Sequence, residues 1–218
     1  MTLPQLPQLP HSLAEHIADG VMHALGVVAA VAGTVVLLTW AAMSVPVDRI
    51  VPLVFYCVGM LLSFGLSAAY NMTLHARARA ILQRFDHAAI YLMIAGTYTP
   101  MALIGIGGGR GIALAAGAWG IALIGVVLKL AFFHRWQALG FVLYLAQGWL
   151  GVIAAWPLIQ SLPMVTLVLI VVGGLIFTLG TIFHHRDHWP FSRAIWHGHV
   201  LAASATHYAA VIMVAGLS

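Results

Sequence analysis

Acidic residues are almost missing from this sequence. It has five Asp and Glu among 218 residues, and charged residues of both signs make up only 6% of the chain. A soluble domain carries about a quarter charged residues, so the composition excludes a solvated globular surface. No polar segment is long enough to surround a soluble core. Cysteine occurs once, as Cys57 within an apolar run, which excludes a disulfide framework and leaves a small buried apolar residue as its simplest role. No basic region precedes the first apolar run, so no secretory signal is expected. The glycines at 107–109 and 111 precede no Lys-Ser/Thr pair, so this stretch reads as a loop and not as a phosphate cradle.

What is present is apolar length. Hydrophobic residues are 62% of the chain and the mean hydropathy is +1.02. Runs of about 20 apolar residues recur, enough to cross ~30 Å of hydrocarbon. Lipid leaves open backbone groups unsatisfied, so each run is expected to be a helix. The expectation is an all-α fold: a single polytopic membrane domain over 1–218, built as a seven-transmembrane helix bundle with spans near 22–43, 51–70, 86–105, 112–133, 138–158, 163–183 and 195–216. Ser12-Leu13-Ala14-Glu15 reads as a capping box that starts a helix near residue 13. Leu3 to Pro10, with three prolines, reads as an extended arm. Residues 74–84 form a basic, partly amphipathic stretch expected to lie at the interface. Gly96, Thr97 and Pro100 mark an expected kink in the third span.

Lysine and arginine orient the bundle. With the N-terminus in the cytoplasm, that side receives Arg77, Arg79, Arg84, Lys129, Arg135, Arg186 and Arg193, against Arg49 and Arg110 outside. Seven against two points to a cytoplasmic N-terminus and an outer C-terminus in a bacterial-type plasma membrane. The formal charge of +4 is read as an inner-leaflet collar. The expected partners are membrane lipids and not nucleic acid; no protein partner is indicated.

On this topology the polar residues converge on one end. Glu15, Asp19 and His23 fall at the start of the first span and, four apart, share a helix face. Ser67 and Asn71 end the second span, Asp86 and His87 open the third, and Arg193 and His197 open the seventh. Ionisable residues within membrane spans face a bundle interior or a water cavity, and facing helices of a bundle build polar sites in this way. A plainer reading stands beside each: Glu15 as a capping residue, Asp86 as an N-cap, Ser67 bonded to its own helix, His207 as a packing residue. The segment HHRDHWPFSRAIWHGH (184–199) holds five histidines in sixteen residues. It divides into an expected wet loop, 184–191, and the start of the last span.

SAAYN (67–71), FDHAAIYLMIAGTYTP (85–100) and SRAIWH (192–197), with the E-x3-D-x3-H pattern at 15–23, resemble the hemolysin III proteins of the wider adiponectin and progestin receptor family. That resemblance implies a seven-helix bundle with zinc near its cytoplasmic face. It implies a Ser-x3-His ending the second span and a His-x3-His opening the last as the source of three histidine ligands, with an Asp at the start of the third holding a zinc-bound water. Ser67, Asp86 and His197 match; Ser67 and Asp86 carry over as catalytic residues. Asn71 and Arg193 stand where two ligand histidines belong, and Asp19 stands where the family usually has Asn.

An amide is a poor zinc ligand and an arginine is none. His197 alone remains as a metal ligand, so the expected cofactor is none, with zinc as the alternative. Arg193 is expected to replace the metal as a fixed cation beside Asp86, with Asn71 bonding nearby. The favoured function is a regulator or receptor-like protein of membrane lipid or energy homeostasis without metal chemistry, with enzymatic activity left open. The alternatives are a zinc-dependent lipid amide hydrolase, which two lost ligands disfavour, and a pore-forming or cytolytic protein, which seven pre-inserted helices disfavour only if it must first be soluble.

Overall fold

The structure is a computed structural model that describes residues 12–216; the proline-rich arm expected over Leu3 to Pro10 lies outside the described residues. Eight α-helices follow one another: α1 (Leu13–Ser44), α2 (Val47–Met72), α3 (Ala76–Pro100), α4 (Gly108–Ala131), α5 (Gln137–Gly148), α6 (Ala155–Ser161), α7 (Met164–His185) and α8 (Ser192–Ala215). Six helical segments are each long and apolar enough to cross a membrane. Among the described residues a seventh crossing is reached only if α5 and α6 are taken together, a pair bent by 48° at its break. The all-helical membrane bundle expected from hydropathy is therefore present, with one correction: the span expected as a continuous 138–158 is two helices.

The break has a local cause. Gly148 ends α5 and Gly151 is the middle residue of a single 3-10 turn, Leu150–Val152, and glycine is a poor helix former. The backbone groups this frees find a partner in Tyr98 of α3. Its hydroxyl donates to Gly148 O at 2.8 Å and accepts from Gly151 N at 2.7 Å. Irregular backbone at membrane depth is tolerated where protein satisfies it in this way. The Trp149 indole donates to Thr178 Oγ1 at 3.2 Å, tying the break to α7.

The expected kink in the third span has a defined form. Directly after Pro100, which cannot donate to the helix ladder, the chain runs as a π-helical segment, Met101–Ile106, ending at Gly107 with φ +68°. A left-handed φ suits glycine, which has no Cβ to clash. At its other end α3 starts at Ala76, so most of the basic stretch 74–84 forms the first turns of this helix, ten residues before the expected start of the span. Its Arg79 donates to the carbonyls of Tyr70, Asn71 and Thr73, capping the end of α2.

Two glycines set how α2 meets α3. A Cβ on Gly59 would lie 2.8 Å from Leu92 O, and one on Gly96 would lie 2.8 Å from Phe55 O. The antiparallel pair therefore packs backbone to backbone. That register carries Ser67, eight residues beyond Gly59, to the level of Asp86. A second correction concerns the histidine-rich segment: α7 continues through His185, so the connecting loop is 186–191 and His184 is helical.

Candidate functional site

The polar site begins with the N-termini of α1 and α8. Ser12 caps α1, and its capping box with Glu15 is complete: Glu15 Oε2 accepts from Ser12 N at 2.7 Å, and Ser12 Oγ accepts from Glu15 N at 3.3 Å. The other carboxylate oxygen, Glu15 Oε1, accepts from the backbone N–H of Phe191 at 2.9 Å. Phe191 precedes α8 with φ +57°, the one non-glycine residue in left-handed conformation among those described. Glu15 therefore caps its own helix and also pins the entrance of α8 to α1. The sequence shows the capping box but holds no signal for a left-handed Phe191, so this second role was not legible.

One helical turn further in, α1 presents Asp19, which is 1% exposed. Its carboxylate gathers three basic groups. Arg193 Nη2 lies 3.0 Å from Oδ2. His197 Nδ1 lies 2.6 Å from Oδ1, and His23 Nε2 lies 3.7 Å from the same oxygen. The His23 and His197 rings lie 4.2 Å apart between centroids. Arg193 Nη2 also donates to Asn71 Oδ1 at 2.6 Å, and Asn71 Nδ2 donates to Ser67 O at 2.9 Å. The three elements expected to meet, the ends of α1, α2 and α8, do meet.

Asp86 sits differently from the expectation. No ion pair joins it to Arg193 among the described residues; its carboxyl is turned to the Ser67 hydroxyl, with His23 within electrostatic range. The reason is helix placement. Asp86 is on α3, which packs along α2. Asp19 is on α1, which packs along α8, and so it reaches the guanidinium first. Arg193 thus meets a buried carboxylate and Asn71, as its chemistry requires, but the carboxylate is Asp19.

The zinc implied by the resemblance calls for three histidines, and the residues present do not supply them. Asn71 uses its oxygen on Arg193, and a guanidinium fills the space between that amide and Asp19. A different set, Asp19, His23 and His197, offers ligand atoms all within 4.8 Å of one another. The His23 Nε2 there is buried without a hydrogen-bond partner. A dication on that set would share its only carboxylate with Arg193, against like-charge repulsion.

The last comparison is with known proteins. The family model described as "Haemolysin-III related" matches residues 12–208. The chain belongs to the hemolysin III family. Relatives are similar over nearly their whole length. The Hemolysin-3 homolog of Bacillus subtilis (strain 168) is 37% identical over 201 residues, 92% of this chain and 94% of the relative. Hemolysin-3 of Bacillus cereus is 31% identical over 208 residues, 95% of each chain. A more distant likeness, 25% over 203 residues, covers 90% of this chain and 83% of the Monocyte to macrophage differentiation factor of Homo sapiens. Asp19, Asn71 and Arg193, the three positions at which the resemblance implies other residues, are brought together by the guanidinium.

Proposed function

We propose that this hemolysin III protein is a receptor-like regulator of membrane lipid state whose cytoplasmic-end site works without a metal. The observation that supports it is the joining of three departures in one contact. Where the resemblance implies a zinc dication bound by neutral histidines, this chain carries a guanidinium neutralised by an added carboxylate. The substitutions compensate one another in charge: Arg193 supplies a cation, Asp19 an anion, and Asn71 an acceptor for the remaining N–H. Such a site holds helices together and can respond to a ligand that competes for the guanidinium. It supplies no metal-activated water, which hydrolysis in the receptor branch of the family would require.

The test uses the full chain purified in mild detergent. Zinc measured by mass spectrometry is expected to be well below one per chain, and a reconstituted sample supplied with an N-acylated sphingoid lipid is expected to release no fatty acid, with or without added zinc. Reverting the three positions together, Asp19→Asn, Asn71→His and Arg193→His, is expected to raise zinc to one per chain. For the regulatory role, cells carrying the wild type are expected to differ in acyl-chain composition from cells carrying Asp19→Asn with Arg193→Met at equal protein level. Stoichiometric zinc lost on His197→Ala, or fatty-acid release by the wild type, would overturn the reading in favour of the hydrolase.

A further inference from the structure

Lys129, in the last turn of α4, is a buried cation without a buried anion. It is 5% exposed, and among the described residues its ammonium makes no ion pair; its one described polar contact is the Phe133 ring, 5.6 Å from Nζ. An ammonium taken out of water is costly unless a counter-charge or hydrogen bonds replace the solvent. None of the five acids of the chain forms an ion pair with it among the described residues. Glu15 holds Ser12 and Phe191, Asp19 holds Arg193, and Asp86 faces Ser67. Asp48 is in the first turn of α2, and Asp187 lies exposed in the loop after α7, within electrostatic range of His184 at the rim.

What surrounds Lys129 is basic. His87 of α3 and His184 of α7 both lie within electrostatic range of it. Their rings are 6.3 Å apart between centroids. Arg84 stands beside them, donating to Leu130 O at 3.3 Å and so capping the end of α4. The arrangement has a floor and a rim: Lys129 is buried, His87 half-buried and His184 exposed. Gly140 of α5 closes one wall. A Cβ there would lie 2.7 Å from Nζ, so the ammonium rests against bare backbone. The position at a helix C-terminus favours the charged amine. Just beyond it Trp136 and Phe132 are exposed, and Arg135 lies 5.7 Å over the Trp136 ring. An aromatic and basic belt of this kind marks headgroup depth.

We infer that Lys129, His87 and His184 form a binding site for a phosphate group, carried by an anionic lipid headgroup or free in solution. Lysine is a point-charge binder of phosphate, and the neighbouring imidazole N–H groups are further donors to phosphate oxygens. The site shares no residue with the Asp19–Arg193 cluster, although His197 of that cluster lies within electrostatic range of His184.

The test has two arms. In the first, the full chain in detergent is incubated with equal phosphatidylglycerol and phosphatidylethanolamine and examined by native mass spectrometry. In the second, the chain in purely zwitterionic nanodiscs is titrated with inorganic phosphate and its Tm followed. A lipid source predicts selective retention of one phosphatidylglycerol by the wild type. Retention should fall roughly tenfold or more in Lys129→Met, the scale of one lost charge-assisted hydrogen bond. It should fall less in His184→Gln, an exposed change that leaves the interior intact. A free-anion source predicts a phosphate-dependent rise in Tm that Lys129→Met abolishes. Arg110→Met, at the opposite end of α4, should change neither. If folded Lys129→Met and His184→Gln retain phosphatidylglycerol as the wild type does, and phosphate gives no Lys129-dependent shift, the inference is overturned.

Discussion

His197 Nδ1 and Asp19 Oδ1 stand 2.6 Å apart although 178 residues separate them in the chain. Asp19 is the hub of the site: one carboxylate holds His197, Arg193 and His23 together, and no single helix supplies more than two of these four residues. Its environment makes a prediction that separates a working pair from a surface anchor.

Replacing Arg193 by Met leaves Asp19 buried with only imidazole partners and strips Asn71 Oδ1 of its donor. The Arg193 side chain is 22% exposed, so the loss is expected at the lower end of the ~3–5 kcal/mol found when one member of a buried pair is removed. Asp19→Asn should cost a comparable amount. The double variant should lose less than the sum, because neither charge is then left alone. Thermal unfolding in detergent measures all three, and additive losses would mean that the 3.0 Å approach contributes nothing.

Glu15 and Ser12 distinguish a cap from a clamp. Ser12→Ala removes the cap of α1 and should cost about 1 kcal/mol. Glu15→Ala also leaves the Phe191 N–H without its acceptor, adding ~1 kcal/mol or more. It should in addition loosen the start of α8. Hydrogen exchange at residues 191–195 should rise for Glu15→Ala and stay unchanged for Ser12→Ala. Equal exchange in the two variants would reduce Glu15 to a capping residue.

Tyr98→Phe tests the broken span. The change deletes one hydroxyl that serves both Gly148 O and Gly151 N. Gly148 is exposed and Gly151 half-buried, so the cost rests on lipid offering no substitute partner, and about 1–3 kcal/mol is expected for each group left unpaired. A Tm lowered by that scale is expected, with increased cysteine labelling of a probe at Val152, in a Cys57→Ala background. No change in either would show that lipid or water replaces the hydroxyl at no cost.

The orientation expected from the lysine and arginine bias is checked in the same background. Single cysteines at Gly108 or Gly109 should label from outside intact cells, and one at His188 should label only after permeabilisation. The opposite pattern would move the Asp19 and Lys129 sites to the outer face together, since both lie at the end of the bundle where α1 and α8 begin.

Six of the expected spans were legible because each is set locally, by twenty or so apolar residues and by Ser12, Gly107 and Pro163 at helix borders. The interruption at 148–154 was not legible. Gly148 and Gly151 are ordinary in a membrane helix, and what stabilises the break is a hydroxyl from Tyr98, some fifty residues away. The start of α3, at Ala76 and not near 86, was not legible for a related reason: a basic stretch gives no apolar signal, and Arg79 caps α2 from within it.

From the sequence alone came the membrane-helix class, the family resemblance, and the list of polar residues that a bundle would bring to one end; these rest on periodicity, length and short motifs. Which acid meets which base was decided by tertiary structure. Asp19 and Asp86 look equivalent on a topology diagram, each near the start of a span at the same end. Only the packing of α1 on α8 and of α2 on α3 gives the guanidinium to Asp19 and leaves Asp86 to Ser67. Lys129 was read in the sequence as one more positive charge at the membrane surface. Its isolation among histidines follows from three helices closing around it, and no local pattern encodes that.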